Sequence, residues 1–288
     1  MVGYATCAMG ESLNLESVPK AIAYLATLAY LGAVTAAALA RSSHGASFFR
    51  RCARVARIAA LMGLMALLAR VWVHASLVAD GVPDRDTLTL VMFDSRWGGR
   101  WQWQFAAALA ALALAALRAL PRGAWIGPAL AALAWAVATP LLGHGASTTW
   151  QHLTHAAHLA VAGAWLGTVC VLALASRAGH AALPALGGLI ARFSPLALSC
   201  AGLAGVSGTL LAVTYVGTFA DLGASPYGRW LLLKLFAVGV VGACGFVNWR
   251  RTRGGQAPAP GWLQAEALGA VLTAVVTAIL TETEHPAG

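Results

Sequence analysis

The chain has 288 residues, of which 59% are hydrophobic and 10% charged, with a net charge of +9. An average soluble domain is roughly 25% charged, so this composition excludes an ordinary water-soluble fold and points to repeated membrane spans. The positive charge sits in alternate connections between apolar runs, which argues for membrane topology and against a nucleic-acid surface.

Residues 1–17 are polar, lack the apolar core of a cleavable signal peptide, and read as a leader outside the membrane. Eight apolar runs follow, at about 18–40, 58–79, 102–120, 124–142, 152–175, 194–217, 229–248 and 262–281. They predict an all-α, polytopic membrane protein, with a first four-helix half over 18–142 and a second over 143–288. Arg41, Arg50, Arg51, Arg54 and Arg57 fill the first connection. Later alternate connections carry Arg118 and Arg122, then Arg177 and Arg192, then Arg250, Arg251 and Arg253. By the positive-inside rule these loops are cytoplasmic and both termini face outward, which in a bacterial inner membrane means the periplasm. Nine of the ten acids fall on that outer side. Ser194-Pro195 reads as N-cap and N1 of the sixth span. Arg70 is expected to reach outward or to pair with Asp80 or Asp94, and Lys234 to extend outward along its helix. Trp97, Trp101, Trp103, Trp150 and Trp230 fall at the outer interface, as an aromatic belt would.

Short motifs recur four spans apart. Ser95-Arg96-Trp97-Gly98-Gly99-Arg100-Trp101 opens span three, and Ser225-Pro226-Tyr227-Gly228-Arg229-Trp230 opens span seven. Tyr30-Leu31-Gly32 echoes Trp165-Leu166-Gly167, and Arg54 echoes Arg192. An even number of spans between partners implies two parallel repeats about an axis along the membrane normal. Aligning Tyr30 with Trp165 sets Lys20 against His155 and Ala23 against His158, so the histidines belong to the second half only.

Six of the eight histidines lie at the outer level: His74, His144, His152, His155, His158 and His285. His152, His155 and His158 are spaced i, i+3, i+6, so His155 can touch both of the others on one helix face. Neutral imidazole is a good ligand for copper, zinc, nickel and iron, and ionisable groups inside a span read by default as functional. The candidate metal site is His144, His155 and His158, with His74 or His152 as fourth ligand. Interfacial histidines also tolerate half-wet positions without any ligand. Cys170, Cys200 and Cys244 each lie six to eight residues from a cytoplasmic arginine, about 9–12 Å inside the inner boundary. Thiolates suit Cu(I), which makes the three a candidate inner copper station; buried cysteine also packs as a small apolar residue. No nucleotide loop, Ser-His-Asp order or HExxH motif occurs, so the chain does not read as an enzyme.

Gly143-His144, His158 followed by Trp165-Leu166-Gly167, Arg192-Phe193-Ser194-Pro195, Gly208, Tyr227-Gly228-Arg229 with Lys234, and Asn248 before a basic loop resemble, in order and spacing, the copper-resistance D (CopD) family of bacterial inner-membrane proteins. The resemblance covers residues 143–284 well and the first half mainly in hydropathy. It implies inward copper movement, with copper supplied by a periplasmic CopC-like binding partner. Ser225 stands where the family pattern has Thr, and methionine is scarce, which argues against a methionine-based Cu(I) path. Two other readings fit paired histidines: a b-type haem protein that moves electrons, and a non-transporting factor that delivers copper to an oxidase.

Overall fold

The computed structural model describes residues 15–40, 45–117, 125–143, 148–177 and 183–286. His144 and His180 lie outside them, as do Arg118 and Arg122. All the regular structure in these residues is helical. In chain order the helices are α1 (Ser17–Leu39), α2 (Gly45–Ala79), α3 (Arg85–Thr89), α4 (Arg96–Ala116), α5 (Ile126–Ala138), α6 (Thr149–Ala162), α7 (Thr168–Ser176), α8 (Leu183–Tyr215), α9 (Asp221–Ala224), α10 (Pro226–Arg253) and α11 (Pro260–Leu280). A π turn over Leu90–Asp94 leads into α4, a 3₁₀ turn over Thr139–Leu142 extends α5, and a π turn over Gly163–Gly167 joins α6 to α7 as one apolar leg.

Among the described residues, six legs are long and apolar enough to cross a membrane: α1, α2, α6–α7, α8, α10 and α11. The expected third and fourth spans are α4 and α5. Four polar or charged residues, Arg96, Arg100, Gln102 and Gln104, lie in the first half of α4, and the apolar segment around α5 is only Ile126–Leu142. The outer surface fits a bilayer better than water. Leu198, Val206, Val213 and Phe236 on α8 and α10 are each more than 60% exposed, and large apolar side chains in such density are at home in lipid.

The core lies in the first half and its junction with the second. Tyr30 is fully buried, donates to the Ala111 carbonyl at 2.9 Å, and meets Trp135 edge-on at 5.8 Å. Trp101 donates to the Leu67 carbonyl at 3.0 Å, and Gln104 to Thr139 Oγ1 at 3.1 Å. Trp101 is therefore a core residue and not part of the expected belt, whereas Trp103 and Trp150 are exposed. These three bonds each join a buried side chain to another helix or turn, which fixes helix rotation where apolar packing alone would not.

The α1 leg crosses α6–α7 at glycines. A Cβ on Gly32 would overlap the Gly167 carbonyl, and one on Gly167 would overlap the Leu28 carbonyl. Thr168 donates to Ala164 O at 2.7 Å beside this crossing, and to Gly32 O at 3.4 Å across it. Two capping turns share a second pattern. Ser95 Oγ accepts from Gly98 N at 2.8 Å and donates to Val91 O at 2.7 Å. Ser225 Oγ accepts from Gly228 N at 3.0 Å and donates to Asp221 O at 2.6 Å. In both, a Cβ on the glycine would overlap a carbonyl of the preceding turn.

Two expectations are corrected. Pro195 lies inside α8, which runs on from Leu183; Ser194 donates to the Ile190 carbonyl at 2.7 Å and caps nothing. The helix continues because Leu186, Leu189, Ile190 and Phe193 are buried in the core before the proline, which outweighs the one backbone bond that proline removes. Arg70 does not pair with Asp80 or Asp94. It is buried, donates to the Leu142 carbonyl at 3.2 Å, and has Tyr24, Glu16 and Glu282 as its charged or polar surroundings. At the same end of the bundle Lys20 pairs with Glu282, joining α1 to the segment after α11.

Candidate copper site

Thr148 caps α6 by accepting from Gln151 N at 3.2 Å, so helical geometry holds from just before His152 onward. His152, His155 and His158 are all half-buried. His155 and His158 turn towards α8. His155 Nε2 lies 3.1 Å from the Tyr215 hydroxyl, and His158 Nδ1 lies 3.0 Å from Ser207 Oγ. Among the described residues neither His155 Nδ1 nor His158 Nε2 makes a hydrogen bond. Lys234, expected to extend outward, is half-buried on α10, close enough for its charge to act on both imidazoles.

The remaining histidines divide. His285, after α11, packs on Tyr215 with ring centroids 4.9 Å apart and on Tyr227 at 6.5 Å. It closes an aromatic group with Tyr215, Tyr227 and His155 at one end of the α6–α8–α10 cleft. His152 Nδ1 is buried without a hydrogen-bond partner among the described residues. His74 belongs to a different place. It stacks on Trp97 at 4.3 Å, and its Nδ1 lies 3.2 Å from Glu16 Oε1. That hydrogen bond holds the Glu16 carboxyl below the usual carboxylate range. Among the described residues, no three His, Cys, Asp or Glu side chains form a metal-holding group.

Cys170 is on α7, Cys200 on α8 and Cys244 on α10, the last two buried. Cys170 lines an apolar cavity of about 270 Å³ between α1, α2, α7 and α11. The sequence reading missed Glu266, the tenth acid, which is buried in α11. Asn248 Nδ2 donates to its Oε2 at 3.3 Å. The signal was available: it is the one acid inside a predicted span on the cytoplasmic side. Tyr215 and Ser207 were also missed, since hydroxyl side chains are common in spans and only helix rotation selects these two.

Comparison with known families supplies what geometry alone does not. The family profile for copper resistance protein D matches residues 187–281, and the profile for the copper resistance protein D-like N-terminal domain matches residues 17–153. The chain belongs to the CopD family. It is a multi-pass membrane protein of copper resistance and handling. No curated protein and no solved structure gives a match. Within this CopD-family chain, Ser207, Tyr215, Lys234, Cys200, Cys244, Asn248 and Glu266 fall inside the CopD match. His155 and His158 fall between the two matched stretches.

Proposed function

We propose that this CopD-family protein captures copper from the periplasm at an outer histidine site and moves it inward across the bacterial inner membrane. The observation that carries the reading is the pair His155 and His158. Both are half-buried in a membrane-crossing helix, both turn into one cleft, and each engages α8 through a single ring nitrogen. The other nitrogen of each is available to a soft or borderline metal. His144 follows Gly143, which lies 3.9 Å from Lys20 Nζ when measured from its Cβ position, and completes the proposed set with His152. A periplasmic CopC-like protein is the proposed donor.

The reading has eight spans in two parallel repeats, with α4 and α5 as the third and fourth. The repeat is supported by two geometric matches. The equivalent glycines Gly32 and Gly167 meet each other, as residues near a pseudo-two-fold axis do, and Ser95–Gly98 and Ser225–Gly228 form the same cap. In this frame Lys20, paired with Glu282, stands where the second half has His155. The first half fills the position with an ion pair, and the second leaves it to imidazole. Both termini are then periplasmic: a reporter that works only in the periplasm is active when fused after Gly288, and activity of a cytoplasm-only reporter there would refute the topology.

Function is tested by copper accumulation in cells. His158→Ala should abolish it together with copper binding. Replacing Cys170, Cys200 and Cys244 by Ser should lower accumulation and leave outer binding intact, as expected of an inner Cu(I) station. Normal accumulation at normal expression assigns the thiols to packing. Binding without any accumulation in the wild type makes the protein a delivery factor, and a strong visible absorption band makes it a haem protein.

A further inference from the structure

We propose that Ser207 is a positioning residue of the copper site, holding His158 with its proton on Nδ1 so that Nε2 is the ligating nitrogen. The inference rests on the reading of His158 as a copper ligand and deepens it.

The proton positions follow from which groups can donate. Ser207 Oγ lies 2.7 Å from the Leu203 carbonyl and 3.3 Å from that of Ala204, both on its own helix. A carbonyl only accepts, so the single hydroxyl proton is committed to α8. The oxygen then faces His158 Nδ1, at 3.0 Å, with its lone pairs. For that contact to be a hydrogen bond, Nδ1 must carry the proton. A neutral imidazole has one N–H, so Nε2 holds the free lone pair. No hydrogen bond among the described residues competes for it.

The next residue on α8 guards the geometry. A Cβ on Gly208 would stand 3.2 Å from His158 Cε1, the carbon between the two nitrogens, and 3.7 Å from Nδ1. A side chain there would press the ring off the Ser207 hydroxyl. His155 differs. Its Nε2 faces a Tyr215 hydroxyl that has no second acceptor among the described residues, so that contact works with either partner donating. The cleft thus holds one imidazole of fixed tautomer and one that can adapt. Ligating histidines are commonly oriented in this way through the other ring nitrogen, and losing the orienting partner typically costs about 10–100-fold in metal affinity.

The test uses the full-length protein in detergent, labelled with ¹⁵N-histidine. In the metal-free protein, the resonances lost in His158→Ala identify His158, and their shifts report which nitrogen is protonated. Cu(I) affinity is then measured by competition with a chromophoric chelator. The expected result is an Nδ1-protonated His158, about 10–100-fold weaker Cu(I) binding in Ser207→Ala, and near wild-type binding in Ser207→Thr, which restores the hydroxyl. An Nε2-protonated His158 in the wild type overturns the proposal. So does unchanged affinity in Ser207→Ala when His158→Ala has lost binding; the copper reading then survives without it. Unchanged affinity in His158→Ala overturns the copper reading itself.

Discussion

Gly167→Ala should lower stability by about 3 kcal/mol, the upper end of the overpacking range. A Cβ there meets backbone, the Leu28 carbonyl and the Gly32 nitrogen, and backbone cannot move aside as a side-chain tip can. The α1 leg would have to shift away from α6–α7, losing the Thr168 to Gly32 contact with it. Gly32→Ala should have a similar effect, and the double variant less than the sum, because one displacement accommodates both. Gly202 on α8 supplies the control, since nothing lies within 4 Å of its Cβ position. Thermal unfolding in detergent measures all four proteins. A Gly167→Ala protein that melts with the wild type would show that α1 and α6–α7 do not cross at these glycines.

Lys20→Met should destabilise by about 3–5 kcal/mol, because it leaves the half-buried Glu282 carboxylate beside a buried membrane helix without its partner. Lys20 itself is 5% exposed, and its only ion-pair partner among the described residues is Glu282. The double variant Lys20→Met with Glu282→Leu should recover most of the loss, since replacing both members by apolar groups of similar size is often close to neutral. Arg70 remains nearby, bonded to the Leu142 carbonyl, which limits the recovery. If Lys20→Met unfolds like the wild type, the pair does not hold the two halves together.

The long apolar legs were legible because a span needs roughly 20 apolar residues and the loops between them are marked by arginine. Less legible were features set by contact between distant segments. Pro195 looked like a helix start, and the reason it is not lies in the buried side chains of the preceding turns. Arg70 has acids nearer in sequence than its actual neighbours, which come from α1 and the segment after α11. The cap motifs at Ser95 and Ser225 were readable as a recurrence, but the π turn and the short helix α9 that precede them carry no hydrophobic period of their own. For the site, the i, i+3 spacing of His155 and His158 was enough to place them on one face. Their partners Ser207 and Tyr215 required the rotation of α8, and His74 was grouped by depth alone although it faces Glu16 and Trp97.

The most direct test of the outer histidine site is an equilibrium copper titration of the purified protein and of its His155→Ala and His158→Ala variants at neutral pH. The account predicts tight binding by the wild type, loss of that binding in either variant, and wild-type binding in a His180→Ala control. Tight copper binding that survives both substitutions would contradict it.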